Sequence, residues 1–534
     1  MTNGRLIVVS NRLPVSVVQQ GEGVRLQPSP GGLATALSSL WNPSHHGLWI
    51  GSVGRETDDT IDRLLAEFSA EQTYDLHAIS LTAKELEKFY AGFANEIIWP
   101  LFHDFQSRCN FDPDYWEMYQ KVNRTFAAKV SELSAADDLI WVHDYHFMLL
   151  ARYLRETHSR CRLGFFQHIP FPTPDVFDKL PWRETVLQAL LDFDVLGFQT
   201  ERDRTNFINC VLRLCPKADV DVTASQTEIT LQGRHIVVGA FPISIDFEEF
   251  NSQAAEPEVA SRAAAIRQEL QDSILVLGVD RMDYTKGIPE RLQAFRILLE
   301  QHPELCRRIV LVQIVVPSRS DIPEYQGLRE QVELLVSQIN GKFTQPGWVP
   351  VQYLYRSVPR HELLAYYRAA DVALITPLID GMNLVAKEFC AAQVDQRGVL
   401  ILSEFAGATQ ELGHGALLVN PNDFVGVANA IFRATQMRPE KKRSQLALLR
   451  EIVKNFTVSR WARSFLDTLA GRPCRNGHDR NRSSMTGAAQ ETPGVALIAS
   501  TRPRPVEKEK YGAGDRGPTG DHDRIEIKNG AGDR

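Results

Sequence analysis

Ile274-Leu275-Val276-Leu277-Gly278-Val279-Asp280-Arg281-Met282-Asp283-Tyr284-Thr285-Lys286-Gly287 begins as an apolar strand and ends in charge and glycine. About a hundred residues later the pattern recurs. The strand Val372–Ile375 runs through Thr376-Pro377-Leu378-Ile379 into Asp380-Gly381-Met382-Asn383-Leu384-Val385-Ala386-Lys387-Glu388. In both, a β-strand gives way to a loop and then an amphipathic helix, the unit from which parallel α/β sheets are built. The first loop carries two fixed cations, Arg281 and Lys286, and Gly287 then allows a tight approach to the next helix. The second carries a carboxylate, small residues whose backbone N–H groups open a helix, and a second carboxylate inside it. Cations and a helix N-terminus suit a diphosphate, while the carboxylates suit sugar and ribose hydroxyls. Together the two loops read as a nucleotide-sugar site. Alone, Asp283 and Asp380 would be read as turn and helix caps.

Outward from these loops the alternation continues. Strands are expected at Leu6–Val9, Leu139–His143, Leu163–Phe166, Val195–Phe198 and Ile236–Ala240, then at Ile274–Gly278, Ile309–Ile314, Val372–Ile375, Val399–Leu402 and Leu417–Val419. An acidic, Ala-rich stretch after Pro242-Ile243-Ser244-Ile245-Asp246 marks the boundary between the two sets. The expected architecture is two doubly wound, Rossmann-like α/β domains, residues 1–242 and 243–458, facing a cleft. A terminal helix over 459–470 follows. Residues 471–534 hold fifteen Gly or Pro with no persistent period, and this tail is expected to be disordered.

Net charge is −7 over 534 residues, yet the segment from Gly471 carries twelve Lys and Arg against nine Asp and Glu. The body is therefore acidic, which argues against nucleic acid or an anionic membrane as partner. Anionic substrates must be held by locally placed cations. Seven cysteines without a CxxC pair fit reduced thiols in a cytoplasmic protein. The N-terminal Leu6-Ile7-Val8-Val9 reads as a strand rather than a leader, and no apolar run reaches membrane-spanning length.

Polar residues at other strand ends add to the cleft. His143-Asp144-Tyr145-His146 and Gln167-His168-Ile169-Pro170 close two strands, with a spacing that matches no metal-binding helix motif. They suit hydrogen bonds to sugar hydroxyls, with His146 structural. Ser10-Asn11-Arg12 ends the first strand and Pro30-Gly31-Gly32-Leu33 opens a helix, so Arg12 is a candidate anion ligand. Asp219-Val220-Asp221-Val222-Thr223 mimics the DxDxT phosphatase nucleophile motif but follows no buried strand, and chance explains it.

The ordered set Ser-Asn-Arg-Leu, Pro-Gly-Gly-Leu, Ile98-Trp99-Pro100-Leu101-Phe102-His103, His-Asp-Tyr-His, Phe-Phe-Gln-His-Ile-Pro-Phe-Pro, Asp-Arg-Met-Asp-Tyr-Thr-Lys-Gly, Pro317-Ser318-Arg319-Ser320-Asp321 and Asp-Gly-Met-Asn-Leu-Val-Ala-Lys-Glu resembles the trehalose-6-phosphate synthase family over about residues 5–465. The resemblance implies a GT-B fold and a retaining glycosyltransferase with UDP-glucose as donor and glucose 6-phosphate as acceptor. It implies no cofactor and no metal, and it admits a homo-oligomer. By position it places Arg12, Tyr90, Trp99, Asp144 and Arg319 around the acceptor, with Arg12 and Arg319 on its phosphate. It places Gly31 and Gly32 near the donor and His168 on the transferred glucose. Arg281 and Lys286 take the diphosphate, Asp380 the glucose hydroxyls, and Gly381, Met382, Asn383, Leu384, Val385, Ala386 and Lys387 line the donor loop. Glu388 takes the ribose and Val358 lies near the base. Arg281, Lys286, His168 and Asp380 carry the catalytic roles. The chain departs from the family pattern at Ile379, where Arg is usual, and at Val358, where some relatives have an aromatic residue.

Overall fold

A computed structural model describes residues 4–20, 23–28, 37, 46–157, 160–223, 226–319 and 322–472. Residues 1–474 form one compact unit. The expected tail lies almost wholly outside the described residues, as do Gly31 and Gly32.

The strands in chain order are β1 Leu6–Arg12, β2 Val15–Gln20, β3 Gly23–Pro28, β4 Gly47–Ser52, β5 Tyr74–Ala78, β6 Leu139–His143, β7 Arg162–Phe166, β8 Val195–Phe198, β9 Asp219–Val222, β10 Thr227–Leu231 and β11 Arg234–Ala240. Then come β12 Ile274–Arg281, β13 Ile309–Val316, β14 Val351–Tyr355, β15 Val372–Ile375, β16 Val399–Ser403 and β17 Leu417–Val419. Among the described residues the first sheet runs β5-β4-β1-β6-β7-β8-β11-β10-β9 and the second β14-β13-β12-β15-β16-β17. The second sheet is parallel throughout; in the first, β10 alone runs against the others, pairing antiparallel with β11 on one side and β9 on the other. Central strands such as β4, β15 and β16 are buried at every residue, as expected for parallel strands covered by helices on both faces.

All ten expected strands are present. The sequence reading missed β2 to β5, β9, β10 and β14. β4 (Gly-Leu-Trp-Ile-Gly-Ser) is bracketed by glycines and β5 alternates polar residues, so neither stands out as an apolar run. Asp219–Val222 is β9, a largely exposed edge strand, which removes any reading of it as a buried nucleophile.

Pro242–Asp246 joins the sheets, and it is not a surface linker. Ile243, Ser244 and Ile245 are buried, the Ile243 N–H donates to Gln199 Oε1 at 3.0 Å and the Ile245 carbonyl accepts from Val458 N–H at 3.1 Å. The terminal helix, Val458–Leu469, packs on the first sheet, where Phe465 stacks on Trp141 with ring centroids 4.7 Å apart. A Cβ at Gly164 or Gly197 would lie 2.8 Å from the Phe465 ring, so both strands need glycine there. Among the described residues, no helix is long and apolar enough to cross a membrane.

Candidate active site

The loop after β12 rests on a buried polar network. Arg291 is 1% exposed and ion-pairs with Asp280; it also donates to Gln313 Oε1 at 3.0 Å, Thr376 Oγ1 at 3.2 Å and the Lys286 carbonyl at 3.3 Å. A buried charge is tolerated only when paired and hydrogen-bonded, and here that pairing fixes the height of the loop over the sheet. Gly287 ends the loop at φ 64°, and a Cβ there would sit 2.5 Å from the Thr376 carbonyl. The Leu378 N–H donates to the Thr285 carbonyl at 2.8 Å, tying this loop to the one after β15.

The two loops meet at an ion pair. Lys286 Nζ lies 2.6 Å from Asp380 Oδ2, with both side chains largely buried. Burial pushes the Asp380 carboxyl up, but Lys286 and Asn383 outweigh it and hold it below the usual range. Arg281 is exposed, lies 5.9 Å from the Trp99 ring and forms no ion pair among the described residues.

Beyond Asp380 the chain turns into the helix Leu384–Ala392. Asn383 caps it at φ 83°, its Oδ1 accepting from Ala386 N–H at 3.1 Å while its amide donates to Asp380 Oδ2. That leaves the amides of the first turn as a positive helix terminus. Gly381 abuts the first sheet, where a Cβ would stand 2.3 Å from the His168 carbonyl. Glu388 accepts from Tyr367 O–H at 2.9 Å, and burial holds its carboxyl above the usual range. Val358 is half-buried in the turn after β14. Lys387 corrects an expectation. Its ammonium is buried and committed to Glu411 Oε2 at 2.5 Å and the Ile243 carbonyl at 2.8 Å, so its side chain braces the segment between the sheets rather than serving a ligand.

The residues expected around an acceptor gather from both sheets. Tyr90 sits on Leu86–Ile98, a π-helix, where Asn95 Nδ2 donates to the Tyr90 carbonyl at 2.6 Å. The π-helix is rare, and its commoner single-turn form is frequent at functional sites. Burial pushes the Tyr90 hydroxyl up, but Arg319, Arg12 and Arg281 outweigh it and leave it below the usual phenol range. The Arg12 guanidinium lies 5.4 Å from the Tyr90 ring and fills the space where Gly54 (φ 84°) lacks a side chain. Arg319, which follows β13, lies 4.1 Å from the ring of Trp99, which opens the short helix Trp99–Phe102. It also pairs with Asp283 at 3.1 Å and donates to Tyr325 O–H at 2.5 Å. Burial would raise Asp283, but Arg319, Arg281 and Lys286 keep it below the usual range. Trp99 buries an indole N–H, an obligate donor, that has no partner among the described residues.

Asp144 holds φ 73° and Arg319 φ 50°, conformations that cost a non-glycine residue energy and cluster at functional sites. Asp144 Oδ1 accepts from His168 N–H at 3.2 Å, and burial pushes its carboxyl up to about 7. His143 Nδ1 and His168 Nε2 lie 3.1 Å apart, and burial lowers both imidazoles, His168 to about 3. The His146 ring stacks on Tyr145 and on Tyr90, with centroids 4.2 and 6.0 Å away. Among the described residues, no three His, Cys, Asp or Glu side chains are grouped to hold a metal ion.

Four cations (Arg12, Arg281, Lys286 and Arg319) thus face two ionised carboxylates (Asp283 and Asp380) on an otherwise acidic body. Such a site selects anions. The sequence reading missed Arg291, Asn95, Tyr325 and Tyr367. Arg291 left no signal beyond one charge on a helix that is otherwise buried there, and the other three are ordinary residues whose role depends on tertiary neighbours.

Residues 4–471 match glycosyltransferase family 20. The chain is 40% identical over 479 residues to the bifunctional trehalose-6-phosphate synthase/phosphatase of Thermoproteus tenax, a match that covers 87% of this chain and 63% of that protein's length. Among solved structures, an α,α-trehalose-phosphate synthase (UDP-forming) from Burkholderia xenovorans in complex with glucose-6-phosphate superposes with a TM-score of 0.78 at 34% identity, covering 88% of this chain and all of that one. The E. coli trehalose-6-phosphate protein bound with UDP-2-fluoro glucose gives 0.79 at 37% identity with the same coverage.

Proposed function

Because the chain belongs to glycosyltransferase family 20, we propose that it transfers glucose from UDP-glucose to glucose 6-phosphate with retention, yielding α,α-trehalose 6-phosphate and UDP. One observation carries the proposal: Arg281, Lys286 and Asp380 converge from two strand-end loops beside an opening helix, with Arg319 beside them on the same sheet and Arg12 at the end of β1 on the other. Residues 243–458 are then the donor-binding half. Residues 1–242 supply most acceptor contacts, and Arg319 reaches over from the donor half.

In the reaction the bond between glucose C1 and the diphosphate oxygen breaks, and C1 bonds to O1 of the acceptor. The acceptor's hydroxyl proton passes to the departing phosphate oxygen on the same face, which preserves the anomeric configuration. Negative charge on the leaving group grows as the bond stretches. Arg281 and Lys286, already positioned, meet it there. Donor hydroxyls take over Asp380, freeing the Lys286 ammonium for the diphosphate. The amides opening Leu384–Ala392 add their partial positive charge. Glu388 binds the ribose, and Val358 lies beside the base.

The test is a product assay with a panel of UDP-, GDP- and ADP-glucose donors against glucose 6-phosphate and glycerol 3-phosphate. Trehalose 6-phosphate should form fastest from the uridine donor. Product from glycerol 3-phosphate alone would reassign the acceptor.

Since the countercharge to the diphosphate is supplied by side chains, turnover should persist in excess EDTA. Metal-reversible loss of all turnover would contradict this. Arg12 is exposed and forms no ion pair among the described residues, so Arg12→Ala should weaken acceptor binding by about 1.5–3 kcal/mol, the worth of a charge-assisted hydrogen bond. Donor affinity and thermal stability should stay near wild type, which calorimetric titration with each substrate and a melting curve will show.

A further inference from the structure

We propose that His143 is a positioning residue that fixes the tautomer of His168, so that His168 presents a ring N–H, rather than a lone pair, at Nδ1. The inference rests on the reading of His168 as a contact of the transferred sugar. His143 ends β6 and is 1% exposed; His168 is half-buried just after β7. Their facing nitrogens, His143 Nδ1 and His168 Nε2, lie 3.1 Å apart, a distance at which one must carry the proton and the other accept it.

The surroundings of His143 decide which. Its other nitrogen, Nε2, is buried with no hydrogen-bond partner among the described residues. Around the ring stand Trp141, Phe166 and Trp461, with centroids 4.5, 6.5 and 6.4 Å away. The indole N–H groups of Trp141 and Trp461 are themselves buried and unpartnered among the described residues, and they can only donate. A proton on His143 Nε2 would place a third unmatched donor in this aromatic pocket, and buried orphan N–H groups are rarer in folded proteins than under-satisfied acceptors. A lone pair at Nε2 adds no such donor. The proton therefore sits on His143 Nδ1 and is donated to His168 Nε2. A neutral His168 that accepts at Nε2 must carry its own proton at Nδ1. Both rings stay neutral because burial disfavours the cation. The remaining polar tether on His168, its backbone N–H on Asp144, holds the residue without touching the ring. The second histidine thus does for the first what the partner of a metal-bound or catalytic imidazole does: it selects tautomer and orientation.

The experiment is a long-range ¹H–¹⁵N correlation spectrum of the full chain labelled at histidine, with the His168 ring assigned by the signals lost in His168→Gln. Protonation at Nδ1, the less common tautomer of a free imidazole, is expected. A His168 ring protonated at Nε2 overturns the proposal whatever reaction the protein catalyses, which separates its failure from that of the functional reading. In activity assays, His143→Phe fills the space but loses the donor, and kcat should fall roughly 10- to 100-fold, as for removal of an orienting partner, with donor KM little changed. His143→Asn can place an amide N–H near the Nδ1 position and should recover most of the loss. Equal impairment of both variants overturns the proposal and makes His143 a packing residue. If His143→Phe does not fold, the wild-type spectrum still decides.

Discussion

Arg281→Ala and Lys286→Ala should each lower kcat on the order of a hundredfold to a thousandfold, the usual cost of removing one preorganised donor aimed at developing charge. Donor KM should change far less, because leaving-group charge is greatest in the transition state. The two variants should differ in stability. Arg281 is exposed and unpaired among the described residues, so its loss should leave the melting temperature near wild type. Lys286 neutralises the buried Asp380 at 2.6 Å, so its loss strands a carboxylate and should also destabilise the fold. Lys286→Arg should not restore full turnover, since a planar fork does not replace a compact ammonium in a loop closed against the Thr376 carbonyl. Steady-state kinetics with both substrates varied will separate the cases. A rise in donor KM with normal kcat would make these residues uniform binders, and the stabilisation of bond cleavage would have to come from elsewhere, His168 first.

Arg319→Ala should be the most damaging single change on the acceptor side, and for a different reason from Arg12→Ala. The sequence reading treated the two arginines as equal phosphate ligands. Arg12 lies at the surface, but the Arg319 side chain is 7% exposed and pairs with Asp283, which is 0% exposed. Removing it strands a fully buried carboxylate, a loss typically worth about 3–5 kcal/mol. It also removes a cation from above Trp99 and the hydrogen bond to Tyr325. Chemical denaturation should show the stability loss, and acceptor binding should fall as well. A variant as stable as wild type would mean that Asp283 finds another partner.

How much of this was legible beforehand depends on what each residue's neighbours are in sequence. The strands that build the two sheets were readable because fully buried parallel strands are continuous apolar runs, as in Ile274–Leu277 and Val372–Ile375. β4, β5 and the hairpin at 219–231 were not, since glycine, alternation and edge position dilute that signal. Arg281, Lys286 and Asp380 stood out because charge directly after an apolar strand is a local pattern. The Lys286–Asp380 pair, the Arg291 network and the burial of Arg319 are tertiary facts that spacing does not encode. Lys387 shows the converse error: one residue from Glu388 in sequence, it points its ammonium to Glu411 and Ile243 instead. A helix turns its neighbours about 100° apart, so adjacency in a motif is not adjacency in a site.

The stereochemistry of the product distinguishes same-face from opposite-face attack. Purified protein, UDP-glucose and glucose 6-phosphate should be followed by proton NMR as the reaction runs. The expected product is a disaccharide phosphate whose two anomeric protons both show the small coupling of α linkages, with UDP released in equal amount. A β linkage at the transferred glucose would mean attack from the opposite face, and same-face departure and attack beside Arg281 and Lys286 would be wrong.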